Sequence, residues 1–254
     1  MVFNGIEGDK QPIMVNNVAV VLCEQYVYLG SVITADGSSS TAIKAHAQRV
    51  MCQVLKFVTF VEKNNDVPFW IKKKVFTCAL MSSILYGCES WLNGDVKPVS
   101  KLYMWCVKKL LGVRKTTRND LCLLEIGCPP LQALVKATQR TFFHKLWRER
   151  RDMHNDPLSH AINVTLNSNT STSRFLFDVI HTNVDDVQES YNSLKTSAIS
   201  SVSPKVQLYI TLNPEFITHP LYTTKTGVNE RVRISWSIAI KRHRGGSLEP
   251  PRKG

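Results

Sequence analysis

Clusters of lysine and arginine are the residues of this chain whose type and spacing best fit a chemical task, the binding of phosphate groups. They are Arg49, Lys72, Lys73, Lys74, Lys108, Lys109, Arg114, Lys115 and Arg118. Phosphate contact requires long cationic side chains on a surface, and cations near a helix C-terminus also suit the helix dipole. These residues are therefore the candidate nucleic-acid-binding set.

Aromatic residues are interleaved with these cations and could stack on bases or sugars. They are Phe69, Trp70, Phe76, Trp91, Tyr103 and Trp105. Their helical spacing is more typical of a protein core, so we expect most of them to be buried.

The positive charge is concentrated in one part of the chain. The formal net charge is +12 over 254 residues, and residues 40–151 alone carry +13, from 20 Lys/Arg against 7 Asp/Glu. A block this basic favours a polyanionic partner such as nucleic acid. The alternative is that the lysines are ordinary solvated helix faces.

Catalytic chemistry has little support. The chain has no nucleophile-elbow, zinc-protease, P-loop or dinucleotide-binding motif. A polymerase needs closely spaced aspartates for two Mg²⁺ ions, and the one adjacent pair, Asp185 and Asp186, has a context that predicts helix capping. The seven cysteines have irregular spacing without a Cys-x-x-Cys pair, which predicts buried reduced thiols and not a zinc site. A small intracellular enzyme using cysteine or histidine is the weakest of three alternatives.

The elements that would position these residues are mainly helical. Residues 15–22 and 25–34 predict two short strands that pair with each other. Five helices are predicted downstream: the first begins at 39 or 40 and has an apolar stripe that reaches 61, and the others lie at about 66–87, 98–111, 119–126 and 131–151. Apolar stripes run along them, which predicts an α-helical bundle. The residues expected to be buried are Ile43, Ala47, Val50, Val54, Phe57 and Val61 in the first helix, Ile71, Val75, Cys78, Ala79, Ser82 and Leu85 in the second, and Leu134, Val135, Thr138, Phe142 and Leu146 in the fifth. The expected fold is mainly α, α+β overall, with an N-terminal hairpin leading into a basic bundle.

The remainder of the chain has weaker signals. The Asn-, Ser- and Thr-rich residues 163–173 predict an exposed linker, 185–199 a surface helix and 206–211 a strand, and the tail from 241 is expected to be disordered. The predicted division is 1–38 strand pair, 39–151 helical bundle, 152–205 linker with a candidate helix, and 206–254 weakly structured segment.

Three short segments carry a resemblance to a known family. They are Tyr28-Leu29-Gly30 followed by Asp36-Gly37, then Leu85-Tyr86-Gly87 with Glu89 and Trp91, then Leu111-Gly112-Val113. In this order and spacing they resemble the end of the palm and the thumb of reverse transcriptases from non-LTR (LINE-type) retrotransposons. The resemblance covers residues 26–151, and 206–236 weakly.

The resemblance implies a role for each segment. Tyr28, Leu29 and Gly30 would correspond to the primer grip, and the basic helices to the thumb that holds an RNA or DNA template–primer duplex. The catalytic aspartates and their Mg²⁺ would belong to a palm upstream, so the chain by itself is expected to need no cofactor and to be non-catalytic. The family's cysteine-rich knuckle does not follow residues 212–234, which suggests an open reading frame truncated at both ends.

Two further expectations complete the sequence analysis. The longest apolar run is 18–23, far short of a membrane span, and the N-terminus lacks a signal-peptide pattern, so we expect no membrane partner and an intracellular location, nuclear or cytoplasmic. The main alternative to a reverse-transcriptase fragment is a stand-alone basic helical protein that binds RNA or DNA.

Overall fold

A computed structural model describes residues 11–20, 22–150, 156–182, 185–201 and 203–212. The fold is mainly helical with short strands near the N-terminus, as expected. The strands are β1 Ile13–Val15, β2 Val18–Val20, β3 Gln25–Tyr28 and β4 Ser31–Thr34. The helices are α1 Ser39–Lys63, α2 Phe69–Val75, α3 Met81–Ile84, α4 Lys97–Leu111, α5 Asn119–Ile126, α6 Leu131–Arg150, α7 Pro157–Asn167, α8 Ser171–His181, α9 Asp186–Ile199 and α10 Pro204–Leu212.

The strands form two separate antiparallel hairpins, β1–β2 and β3–β4. The predicted pairing of 15–22 with 25–34 is therefore wrong. Each hairpin is closed by a two-residue turn with positive φ. Asn16 and Asn17 join β1, which begins before the predicted first run, to β2, and Leu29 and Gly30 turn the second run back on itself. Such turns match the twist of the strands that they join.

Helix α1 follows its predicted apolar stripe. The stripe residues Ile43, Ala47, Val50, Val54, Phe57 and Val61 are all buried. The cations Lys44, Arg49 and Lys56 are exposed on the other side of the helix. The three- and four-residue spacing was sufficient to identify the buried face.

The buried face of the following helical segment differs from the prediction. Ile71, Val75, Cys78, Ala79, Ser82 and Leu85 were expected inside, whereas Lys72, Phe76, Leu80, Met81 and Ile84 are the buried residues. The segment is interrupted by a π-helical stretch, Phe76–Leu80, between α2 and α3. The buried face is displaced by one residue already in α2, where Lys72 and Phe76 are buried and Ile71 and Val75 are half-buried. The wider turn then changes the phase only of the side chains that follow it.

Helices α4 and α5 end as the sequence predicted. The N–H of Val113 donates to the carbonyl of Lys108, and the N–H of Gly112 donates to that of Lys109. This is the Schellman arrangement, and Gly112 has the positive φ of 67° that it requires. Gly127 ends α5 in the same conformation.

The described residues between 156 and 212 are mostly helical, so the predicted linker over 163–173 is wrong. The Asp156 carboxylate accepts the N–H of Ser159 at the start of α7, and the Thr170 hydroxyl accepts that of Ser173 at the start of α8. The polar composition that predicted a linker includes these N-caps. Ile162 of α7 and Leu176 of α8 are buried, and the two helices pack together.

Two further predictions are corrected. Residues 206–211 form part of α10 and not a strand, because Pro204 lies in its first turn and the Ser203 carbonyl accepts the N–H groups of Val206 and Gln207. Phe142 of α6 was expected to be buried but is 45% exposed.

The chain divides into two compact units, each assembled from three stretches. Unit 1 comprises the described residues within 1–53, 82–102 and 135–184. Unit 2 comprises the described residues within 54–81, 103–134 and 185–254. The four-part division expected along the chain remains a prediction.

Two expectations concern membranes and the C-terminal tail. Within the part of the chain that the structure describes, no helix has both the length and the apolar character needed to cross a membrane. The predicted disordered tail from 241 and most of the weaker resemblance over 206–236 lie outside the described residues.

Candidate nucleic-acid interface

In unit 1, the β3–β4 turn presents Leu29 in a backbone conformation that leucine rarely adopts. Tyr28 pairs with Ser31, so Leu29 and Gly30 form the two-residue loop, with φ of 46° and 79°. Glycine tolerates such values, but a leucine is strained there. The Leu29 side chain is nevertheless 74% exposed and gains little burial in return. Strained, outward-facing residues of this kind are concentrated at functional sites.

A second segment, distant along the chain, holds this turn. The hydroxyl of Tyr86 donates a hydrogen bond to the carbonyl oxygen of Leu29 at 2.5 Å. Gly87 lies against β4, where an added Cβ would be 2.9 Å from Ser31 Oγ, and its φ is 71°. Glycine is therefore required at position 87 both for its conformation and for the close approach of the two segments.

Helix α1 supplies a cation to the same place. A Cβ built on Gly30 would lie 3.0 Å from Arg49 Nη1 and 3.7 Å from Cε1 of the Tyr86 ring. The guanidinium therefore lies directly against the glycine of the turn. Arg49 is exposed, so its charge is available at the surface beside Leu29.

Buried groups behind Arg49 fix its position. Nη2 of Arg49 lies 3.4 Å from Nδ1 of His46, and Nε2 of His46 lies 3.1 Å from the carbonyl oxygen of Ile84. The Trp91 ring lies 5.0 Å from the imidazole, centroid to centroid. Burial lowers the pKa of His46, and the nearby Arg49 charge lowers it further, against an opposing effect of the Ile84 carbonyl. The imidazole is therefore neutral at neutral pH.

The segment that carries Trp91 is itself anchored. The buried Gln139 of α6 donates from Nε2 to the carbonyl oxygen of Cys88 at 2.9 Å. Trp91 is 4% exposed, which makes its ring a rigid wall against His46.

The hairpin that leads to the turn is an aromatic surface. Tyr26 and Tyr28 alternate along β3 and therefore share one face, and both are exposed, as is Tyr86. Val27, on the opposite face of β3, is also exposed. Sequence alternation had suggested one core face and one ligand face, whereas β3 is exposed on both. Bases can stack on exposed tyrosine rings, and a phosphate can pair with the arginine beside them.

The predicted cations of unit 2 have different environments. Lys72 is 6% exposed and its Nζ donates to the carbonyl oxygen of Val61 at 3.2 Å, so burial withdraws it from the candidate set. Lys109 pairs with Glu62. Lys73 is half-buried and Lys74 is exposed.

The loop after α4 holds the remaining cations. Lys108 donates from Nζ to the carbonyl oxygen of Lys115 at 2.7 Å, which closes the loop. Arg118 is hydrogen-bonded to Asp120, which raises the Arg118 pKa, and to Ser201 Oγ at 3.0 Å. Arg114 and Lys115 are exposed. These two, with Lys73 and Lys74, are the unit 2 residues best placed to meet a phosphate.

Most of the other candidate groups have structural roles. Phe76, Trp91 and Tyr103 are buried, as the core interpretation of the aromatic residues predicted, while Trp70 is exposed. The Asp185 carboxylate accepts the N–H groups of Val187 and Gln188, which confirms the predicted helix cap. Among the described residues, no group of three or more His, Cys, Asp or Glu side chains could hold a metal ion.

The cysteines are only partly as predicted. All seven lie in the described residues and are free thiols. Cys88, Cys106, Cys122 and Cys128 are buried, but Cys23, Cys52 and Cys78 are exposed. Burial raises the pKa of the Cys88, Cys106 and Cys122 thiols to about 12, which keeps these three protonated and poorly nucleophilic.

The role of His46 was not predicted from the sequence, because its seven histidines are scattered along the chain without a shared motif. One signal was present: His46 precedes Arg49 by three residues on a helix, a spacing at which side chains are neighbours. No protein-family model, curated protein or solved structure matches this chain. The candidate interface therefore rests on its own geometry.

Proposed function

We propose that this protein binds nucleic acid as the primer-grip and thumb-like part of a LINE-type reverse transcriptase, and that the β3–β4 turn with Arg49 and Tyr86 is its principal contact in unit 1. The observation that carries the proposal is the hydrogen bond from Tyr86 to the Leu29 carbonyl. It joins two of the segments on which the family resemblance rests, 57 residues apart in the chain. A thumb that follows a primer grip requires such a junction.

The chemistry of the junction supports a polyanionic, base-containing ligand. An exposed guanidinium lies against the turn, and exposed tyrosine rings lie on both segments that meet there. Guanidinium groups pair with phosphate, and tyrosine rings stack on bases of any sequence. A template–primer duplex of RNA and DNA is accordingly the proposed partner.

The test is a binding measurement on the full chain. Fluorescence anisotropy would follow a labelled RNA–DNA hybrid with a recessed DNA 3′ end, titrated with protein at several salt concentrations. Each phosphate neutralised contributes roughly −0.9 to the slope of log K against log salt. We expect a steep negative slope, and salt-insensitive binding or none would contradict the proposal.

A matched pair of variants tests the contribution of unit 2. Replacing the exposed Arg114 and Lys115 together with glutamine should reduce the magnitude of the slope by up to about 1.8, if each neutralises one phosphate. Replacing Lys97 and Lys101 together with glutamine is the control, because both are exposed on α4, lie outside the candidate set and carry the same total charge. An equal change in both variants would show only a general effect of charge.

A stand-alone RNA- or DNA-binding protein remains the second candidate. It shares the salt dependence but has no requirement for a recessed 3′ end. Equal affinity for the recessed hybrid and for a blunt duplex of the same length would favour this second candidate.

A further inference from the structure

We propose that the neutral imidazole of His46 positions the guanidinium of Arg49 beside the β3–β4 turn, and that Arg49 held in this way binds a phosphate of the nucleic-acid strand. The inference rests on the proposed function and deepens it, because it names a phosphate-binding residue and a buried residue that acts through it.

The two ring nitrogens of His46 have different partners. A carbonyl oxygen can only accept, so Nε2, which faces Ile84, carries the proton and donates. Nδ1 is then left with a lone pair that can accept from Arg49 Nη2. This single tautomer satisfies both contacts.

The surroundings of His46 favour that neutral form. The imidazole is buried, with the Trp91 ring on one side and the carbonyls of Ser83 and Ile84 near the ring. Among the described residues, the charged group that acts on it is Arg49, from its own helix. A second positive charge on the imidazole is therefore disfavoured.

The guanidinium of Arg49 contacts the buried His46 acceptor with one amino group, while the residue as a whole is exposed at the surface. Its Nη2 faces His46 while its Nη1 lies against Gly30, where an added Cβ would come within 3.0 Å of it. A guanidinium held at one edge loses less conformational freedom when a phosphate pairs with its remaining N–H groups. The exposed ring of Tyr86 lies next to the same glycine, within reach of a base on the same strand.

Protonation of His46 would release this arrangement. A protonated Nδ1 has no lone pair for Arg49, and the two cations repel each other. Because the pKa of His46 is lowered, the arrangement is intact at neutral pH and is lost only as the pH falls below the ordinary histidine value of about 6.5. Affinity should fall with it.

The first experiment compares two charge-removing variants of α1 in the anisotropy assay with the same labelled hybrid. Arg49→Gln should weaken binding about tenfold or more, as expected for the loss of a charge-assisted hydrogen bond. Lys44→Gln removes an equal charge from an exposed position of the same helix and should weaken binding less than about threefold. Equal losses in the two variants would overturn the role of Arg49.

The second experiment measures affinity from pH 8 to pH 5.5 at constant ionic strength. Protonation of exposed histidines raises the affinity for nucleic acid in all variants alike. The readout is therefore the difference between two variants in their profiles of affinity against pH. Relative to His46→Gln, which cannot titrate, the wild-type protein should lose affinity below pH 6.5. Arg49→Lys keeps the positive charge but not the guanidinium that faces both His46 and Gly30. Like His46→Gln, it should therefore lack the loss of affinity below pH 6.5.

Arg49→Lys also guards against a folding defect in the buried His46 variant, because position 49 is exposed. Parallel profiles of wild type and Arg49→Lys would overturn the positioning role of His46. If the wild-type protein binds the hybrid but these variants do not differ from their controls, this inference alone fails. If the wild-type protein does not bind the hybrid at any salt concentration, the proposed function fails and this inference fails with it.

Discussion

Replacing Leu29 with asparagine should make the protein more stable and its ligand binding weaker. The β3–β4 loop has positive φ at both residues, the geometry in which Asn-Gly is preferred. The protein has leucine at the first position, and this side chain is 74% exposed. Leu29→Asn would create the preferred turn without altering the carbonyl that accepts from Tyr86.

The magnitude follows from two opposing terms. The left-handed conformation costs an ordinary residue roughly 1–2 kcal/mol, and asparagine largely escapes this cost. Full burial of a leucine is worth about 1.5–3 kcal/mol, so at 74% exposure the substitution forfeits about a quarter of that, or ~0.4–0.8 kcal/mol. The net gain is about 0.2–1.6 kcal/mol, which corresponds to a rise in Tm of roughly 0.5–6 °C in a chain of this size.

Leu29→Ala is the matched control, because it removes the same apolar contacts but keeps the strained backbone. Thermal or urea unfolding followed by circular dichroism should place Leu29→Asn above the wild type and Leu29→Ala below it. If the asparagine variant is no more stable than the alanine variant, the strain argument is wrong.

In the same two variants, affinity for the ligand should not follow stability. Both lose the exposed side chain at the turn, so both should bind the recessed hybrid more weakly than the wild type. If both retain wild-type affinity, the Leu29 side chain does not contact the ligand.

Three further outcomes are expected. Gly87→Ala should be more destabilising than Gly37→Ala in urea unfolding. Both glycines have positive φ, but only at position 87 would the new Cβ meet Ser31 Oγ. Equal losses of stability would argue against close packing of Gly87 on β4. Burial raises the pKa of Glu125 to about 7, so between pH 4.5 and 7 the folded protein holds a proton that the unfolded protein releases. The free energy of unfolding should therefore fall as the pH rises through this range. Glu125→Gln should remove this pH dependence, and an unchanged dependence would exclude Glu125 as its source. In a primer-extension assay with the hybrid, Mg²⁺ and deoxynucleotides, the purified chain should incorporate nothing, and any incorporation would refute the expectation that it is non-catalytic by itself.

The core of α1 and the ends of α4 and α5 could be predicted because local patterns decide them. An apolar residue every three or four positions identifies the inner face of α1, and a glycine after an apolar run identifies where a helix ends. Composition identified two strand-forming runs, 15–22 and 25–34, but not their division into four strands or the pairing of these strands, because the second run depended on whether Leu29-Gly30 continues a strand or turns it. Leucine is so unfavourable in such a turn that the sequence argued for the strand.

The sequence by itself determined a mainly helical, basic chain and the residue types of its interface. Only the tertiary structure decided which cations remain exposed, because burial depends on the neighbours of each side chain. Lys72 and Lys74 have the same charge two residues apart, yet they lie roughly 200° apart around α2, so the inward face of this helix buries the first and leaves the second exposed. Only the tertiary structure brings the residues of the candidate site together. Leu29, Arg49 and Tyr86 are distant in the chain, and they meet because buried groups such as His46 and close glycine contacts hold their segments together.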